Sequence, residues 1–133
     1  MAASVIPNSD ITIYNRYILN RAEKYQRYEV SDVVWQSTQS VTTKFTAANL
    51  ATVFIPFSQC DNYLPFKEWT YGTDNWTLHE GDIMVRGIVT DEITDTFTLS
   101  DLRAAYNNVF TVTTIDEMNQ GSLHMRHYMV GLK

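Results

Sequence analysis

Residues 76–89 read WTLHEGDIMVRGIV, and the fold turns on how this stretch is parsed. From Asp82 onward, Ile83, Val85, Gly87 and Val89 alternate with Met84, Arg86 and Ile88. That is the period of two that a β-strand imposes, because successive side chains leave opposite faces. Apolar residues occupy both phases, so the strand expected over Asp82 to Val89 should be partly buried on both sides. The polar cluster before it, His79-Glu80-Gly81-Asp82, has two readings. As chemistry it offers an imidazole and two carboxylates, material for a base and an acid or for part of a metal site. As structure it is a glycine-centred turn that launches the strand. A third or fourth ligand at a defined spacing is missing, which favours the turn.

Working outward, Ile11 and Ile13 alternate with Thr12 and predict a first strand over Ile11 to Tyr17. Tyr28, Val30, Val33, Val34 and Trp35 predict a second, with a phase change at Ser31-Asp32 that a turn or bulge would absorb. Ser37 to Asn49 is polar and weakly patterned, so a loop or arm is expected over about residues 37–50. Ala51 to Phe57 reads as a compact strand stopped by Pro56, which has no N–H for a ladder. Residues 57–76 then form an irregular loop loaded with Phe57, Tyr63, Phe66, Trp69, Tyr71 and Trp76. After a polar connection, Leu102, Ala105 and Tyr106 fall at helical spacing behind Ser100 and Asp101, predicting a short helix over 101–107 with Ser100 as its cap. VFTVTTIDEM and LHMRHYMVGL read as two strands joined at Asn119-Gln120-Gly121-Ser122, a hairpin over 109–131.

The 133 residues suit one domain, and 44% hydrophobic with 19% charged residues describes a packed chain rather than a disordered one. Thr, Val and Ile supply 16, 11 and 9 residues, and β-branched side chains fit pleated surfaces. The expected fold is therefore mainly β: a small antiparallel β-barrel of about six or seven strands with long loops and one short helix. With a net charge of −5 and scattered Lys and Arg, the chain lacks the basic face that tight nucleic-acid binding requires. The opening MAASVIPNSD has neither the basic start nor the apolar core of a signal peptide or membrane anchor, so a soluble, unprocessed protein is expected. Asn75-Trp76-Thr77 matches a glycosylation sequon by chance on that reading.

No other constellation completes an active site. His124 and His127 would face opposite sides of a strand. Cys60, the single cysteine, sits in SQCDN with no cationic neighbour to activate it. No nucleophile elbow and no glycine-rich phosphate loop occur. The sequence therefore predicts no enzyme, no cofactor and no metal; a small metal-dependent hydrolase built on His79, Glu80, Asp82 and His124 or His127 is the alternative outside the structural class. The aromatic loop carries only Lys67 as a base among Asp61, Glu68 and Asp74, which argues against base stacking. Tyr63, Phe66, Trp69, Tyr71 and Trp76 either face a protein partner or fold over one end of the barrel; the first option would also suit a monomeric binding module.

The order of segments DITIYNR, VVWQSTQ, TVFIPF, KEW, WTLHEGDIMVRGIV, a short helix, VFTVTTI and GSLHMRHYMVGLK resembles the short proteins encoded in the head-tail region of Firmicutes phages and prophages, the minor capsid or head-closure proteins. The resemblance spans nearly the whole chain and is strongest in WTLHEGDIMVRG and GSLHMRHYMVGLK. It implies a virion protein of a long-tailed phage, assembled in the host cytoplasm and resident in the neck. Such proteins form a homo-oligomeric ring, of roughly twelvefold symmetry, that sits between the portal-adaptor protein and the tail or tail-terminator protein, seals the filled capsid and docks the tail. Packaged DNA passes through the lumen without sequence-specific binding, and no membrane is involved. A tail terminator and a capsid auxiliary protein are neighbouring readings. A stopper needs an element that crosses the lumen. Ser37 to Asn49, with Lys44 its only formal charge, is the expected element, and Thr42, Thr43, Lys44, Phe45 and Thr46 its tip.

Overall fold

A computed structural model describes residues 9–37, 51–118 and 126–133. The described residues form six strands: β1 (Ser9–Leu19), β2 (Ala22–Ser37), β3 (Ala51–Pro56), β4 (Ile83–Arg86), β5 (Val109–Met118) and β6 (His127–Leu132). They pair antiparallel in the order β1-β2-β3-β6-β5-β4, and β4 returns to β1 to close a barrel. Closure removes most of the exposed edge that an open sheet of this size would carry. An α-helix, α1 (Leu99–Ala105), lies between β4 and β5, and a 3-10 turn, Phe57–Gln59, follows β3. Among the described residues, no helix is long and apolar enough to cross a membrane.

β1 and β2 form the longest hairpin, with Leu19 opposite Ala22 across a two-residue turn. Asn20 (φ 53°) and Arg21 (φ 68°) are both left-handed, the geometry of a type I′ turn whose twist matches the flanking strands. The phase change expected at Ser31-Asp32 is a bulge: Ser9 pairs with Val33 but Ile11 with Val30, so β2 holds one extra residue. Asp32 takes φ 59° there, and its N–H donates to Asp10 Oδ1. The slip keeps Tyr28 and Val30 on the same inner face as Val33 and Trp35, all of them part of the interior packing.

β4 is shorter than Asp82 to Val89 because Gly87 turns the chain at φ +96° and sends Ile88 and Val89 across the outside of β1. Its two faces serve two apolar layers. Met84 points inward with Ile11, Ile13, Val53, Ile55 and Val130. Ile83 and Val85 point outward with Tyr14, Val89 and Leu102, and this outer layer is roofed by Phe97, Leu99 and Tyr106. The run of apolar residues on both phases thus marks a strand covered on both sides.

The outer connection is fastened by polar contacts. Thr12, fully buried, donates from Oγ1 to Gly87 O (2.8 Å) and accepts from the Val89 N–H (2.8 Å). The hydroxyls of Tyr14 and Tyr106 both end on Asp91, at its carbonyl and its carboxylate. α1 starts two residues earlier than 101–107 predicted, because Thr98 rather than Ser100 is the cap. Thr98 Oγ1 accepts from the Asp101 N–H, and Asp101 Oδ2 accepts from the Thr98 N–H, a closed capping box. The helix ends at Ala105 since Tyr106 is extended (φ −128°, ψ 146°), which frees its ring to reach Asp91. β5 and β6 are the two arms of the expected C-terminal hairpin; its turn lies outside the described residues.

Candidate functional site

The HEGD cluster sits where β4 leaves off against β1. Hydrogen bonds to β4 come from alternate residues of β1: Asp10 O accepts from the Gly87 N–H, and Tyr14 pairs with Ile83. The next donor in that phase is the Arg16 N–H, and β4 has no residue left to meet it. Asp82 Oδ1 accepts it instead (2.9 Å), so a side chain supplies the last rung of the seam. Its other oxygen, Oδ2, accepts from the His79 N–H (2.8 Å) and from Asn15 Nδ2 (2.9 Å). Asn15 also donates to Thr77 O (2.7 Å) and accepts from the Thr77 N–H (3.1 Å). Gly81, at φ +98°, allows the turn, and a Cβ there would meet nothing nearer than the Arg16 guanidinium at 3.6 Å.

Asp82 and Asn15 are almost completely buried. Burial pushes the Asp82 carboxyl up to about 6, against the three donors that favour its ionised form. A carboxylate enclosed by backbone and amide donors is spent on structure and has no open side from which to touch a substrate. The other would-be partners are committed elsewhere: the His79 ring stacks on Phe66 (3.8 Å), and the His127 ring meets Phe54 edge-on (5.3 Å). Among the described residues no three His, Cys, Asp or Glu side chains come together in a way that could hold a metal ion; His124 lies outside them. Cys60 is half-buried, and burial together with Asp61 pushes its thiol up to about 12.

The aromatic loop 57–76 packs largely against its own barrel. Trp76 is buried between Tyr28 and Tyr63, and Tyr63 in turn leans on Tyr128 of β6. The loop closes on itself through a bridge in which the Leu64 N–H donates to Trp76 O and the Trp76 N–H to Asn62 O. Gln26 on β2 pins it from below: Oε1 accepts from the Gly72 N–H (2.6 Å) and Nε2 donates to Thr73 O (3.0 Å). Trp69 is also buried, its Nε1 donating to Asn75 O (2.9 Å). Of the five candidate interface residues, Phe66 and Tyr71 keep 41% of their surface exposed. Tyr71 lies flat on Tyr17 (4.5 Å, 5° between planes), so its outer face is held rigid and open.

The candidate lumen residues Thr42, Thr43, Lys44, Phe45 and Thr46 lie outside the described residues. The strand ends that flank them, Ser37 and Ala51, are paired with each other. Asn15, Gln26 and Thr12 escaped the sequence reading. Asn15 alone left a trace, as a polar residue in phase with Ile11 and Ile13.

A family model described as a family of unknown function (DUF6751) matches residues 6–133, and the chain belongs to that family. Among curated proteins and solved structures, none matches the chain.

Proposed function

With membership of that family as the premise, we propose that the chain is a structural virion protein of a tailed phage: a head-tail connector, acting as the head-closure ring that seals the filled capsid and docks the tail. The observation that carries this reading is the aromatic loop. It is fixed to a closed barrel by Trp69, Trp76 and Gln26, yet it holds Phe66 and Tyr71 outward. Large rigid aromatics presented at low entropic cost are what a protein-protein contact uses. The resemblance to head-closure proteins in WTLHEGDIMVRG and GSLHMRHYMVGLK points to the kind of contact. A net charge of −5 suits a lumen wall past which phosphates must slide without being trapped. In this reading residues 42–46 are the lumen element, the ring is homo-oligomeric, and an adaptor and a tail or tail-terminator protein are its axial neighbours.

The test is to locate the protein in purified virions by cryo-electron microscopy with a tagged copy. Density in a coaxial ring between adaptor and tail is the expected result. A ring one layer lower would make it a tail terminator, fivefold or quasi-sixfold surface positions would make it a capsid auxiliary protein, and absence from virions would end the reading.

A further inference from the structure

Among the described residues, barrel closure leaves a long stretch of β2 with an unpaired side. Among the described residues, β3 pairs only with residues 34–37 of β2, and no strand pairs with the outer side of the earlier part of β2, beside the β1 hairpin. The phase of the ladder says which groups are exposed there. Even-numbered residues of β1 bond toward β4, as the Gly87 N–H to Asp10 O bond shows, so odd-numbered ones bond toward β2. Their partners are Lys24, Gln26, Tyr28 and Val30. The N–H and C=O groups of Tyr25, Arg27 and Glu29 therefore point away from the barrel. A cleft of about 550 Å³ runs along Tyr25 to Tyr28, between β2 and a rim that includes Asn62, Asp74 and Glu92.

We infer that this edge pairs with the same edge of a second copy of the chain, antiparallel and about a twofold axis. The charge pattern selects that occupant. Arg27 and Glu29 lie two residues apart on one face and form an ion pair within the chain. Outward-pointing residues must oppose outward-pointing residues, which restricts the register to steps of two. In the register that centres Tyr28 on its symmetry mate, Arg27 of each copy opposes Glu29 of the other, twice over. The cluster is self-complementary, as an isologous contact requires. Such a contact closes after two copies. It is distinct from the head-to-tail contact of a ring, and it stands whether or not the connector reading holds.

Sedimentation equilibrium on the full chain, with amide exchange followed against concentration, tests this. The expected result is a dimer in which the Tyr25, Arg27 and Glu29 amides gain protection as concentration rises. Glu29→Arg should weaken dimerisation at least tenfold, and the Arg27→Glu/Glu29→Arg pair should restore it, because each exchanged charge again meets its opposite. Glu29→Pro removes an outward N–H, which an edge strand tolerates, so a folded monomer is expected. A wild-type chain that stays monomeric at every soluble concentration overturns the inference, and the charges then guard the edge against pairing. A dimer unaffected by Glu29→Pro, or a double variant that fails to dimerise, overturns it equally.

Discussion

Ile13 and Asn15 are neighbours on the inner face of β1, both buried, and they are held in unlike ways. Ile13 meets Tyr28 and Met84 across the ladders and packs into the apolar interior with Ile11, Val53 and Val130. Asn15 meets Thr77 and Asp82 through three directed hydrogen bonds. The first environment depends on volume and tolerates rearrangement; the second depends on every donor finding its acceptor. One strand therefore passes, within two residues, from packing that degrades gradually to a polar junction that either closes or fails.

The largest effect should come from the apolar side. Trp76 bridges the aromatic loop and the barrel interior, and Trp76→Ala should cost about 3–5 kcal/mol, read as a lowered denaturant midpoint; loss of the slope as well would show that the loop had detached. On the polar side, the buried Asp82 carboxyl titrates near about 6 in the folded chain, above an ordinary aspartate. The folded state then binds this proton more tightly than the unfolded one. Its contribution to stability is greatest below the unfolded value near ~4 and falls as pH rises to about 6, a loss of about 3 kcal/mol. Asp82→Asn should flatten that part of the pH profile, while weakening the seam above about pH 6, where the wild-type carboxylate accepts from all three donors and an amide turns a donor toward them. A wild-type profile no steeper than the variant's would mean that the carboxylate is better solvated than its burial indicates.

Thr77 sharpens the contrast further. Among the described residues its Oγ1 is buried with no hydrogen-bond partner, beside the Asn15 and Asp82 side chains whose polar atoms are all paired. Thr77→Val keeps the shape and removes that penalty, so a gain of about 1 kcal/mol is expected in thermal unfolding. The smallest effect lies far from either region. Arg21 holds φ 68° at the hairpin turn, and Arg21→Gly should add about 0.5 kcal/mol by replacing a strained side chain with the residue a type I′ turn favours.

Much of the barrel could be read in advance because period and punctuation are local. The double-phase apolar run at Ile83 to Val89, the slip at Ser31-Asp32 and the stop at Pro56 all carried their meaning within a few residues. Asn20-Arg21 did not announce a turn, since arginine is an unusual occupant of a left-handed site. The candidate site was harder for a physical reason. Asp82 after Gly81 has the composition of an exposed turn, and only Asn15, 67 residues earlier, makes it a buried anchor. In the same way nothing in Trp69, Tyr71 and Trp76 distinguishes an aromatic that packs inward from one that faces out. That sorting is done by Gln26 and Tyr17 on distant strands.

The seam at Asp82 also bears on the order in which the barrel is assembled. The β1–β2 hairpin closes across two residues and can form within microseconds. The rung between Arg16 and Asp82 must wait for a segment of 66 residues to be gathered. A non-local closure of that kind sets the pace of β-rich domains. The carboxylate that completes the ladder is thus among the late contacts of folding, and the Arg16 amide it holds should be among the early ones to exchange when the barrel opens.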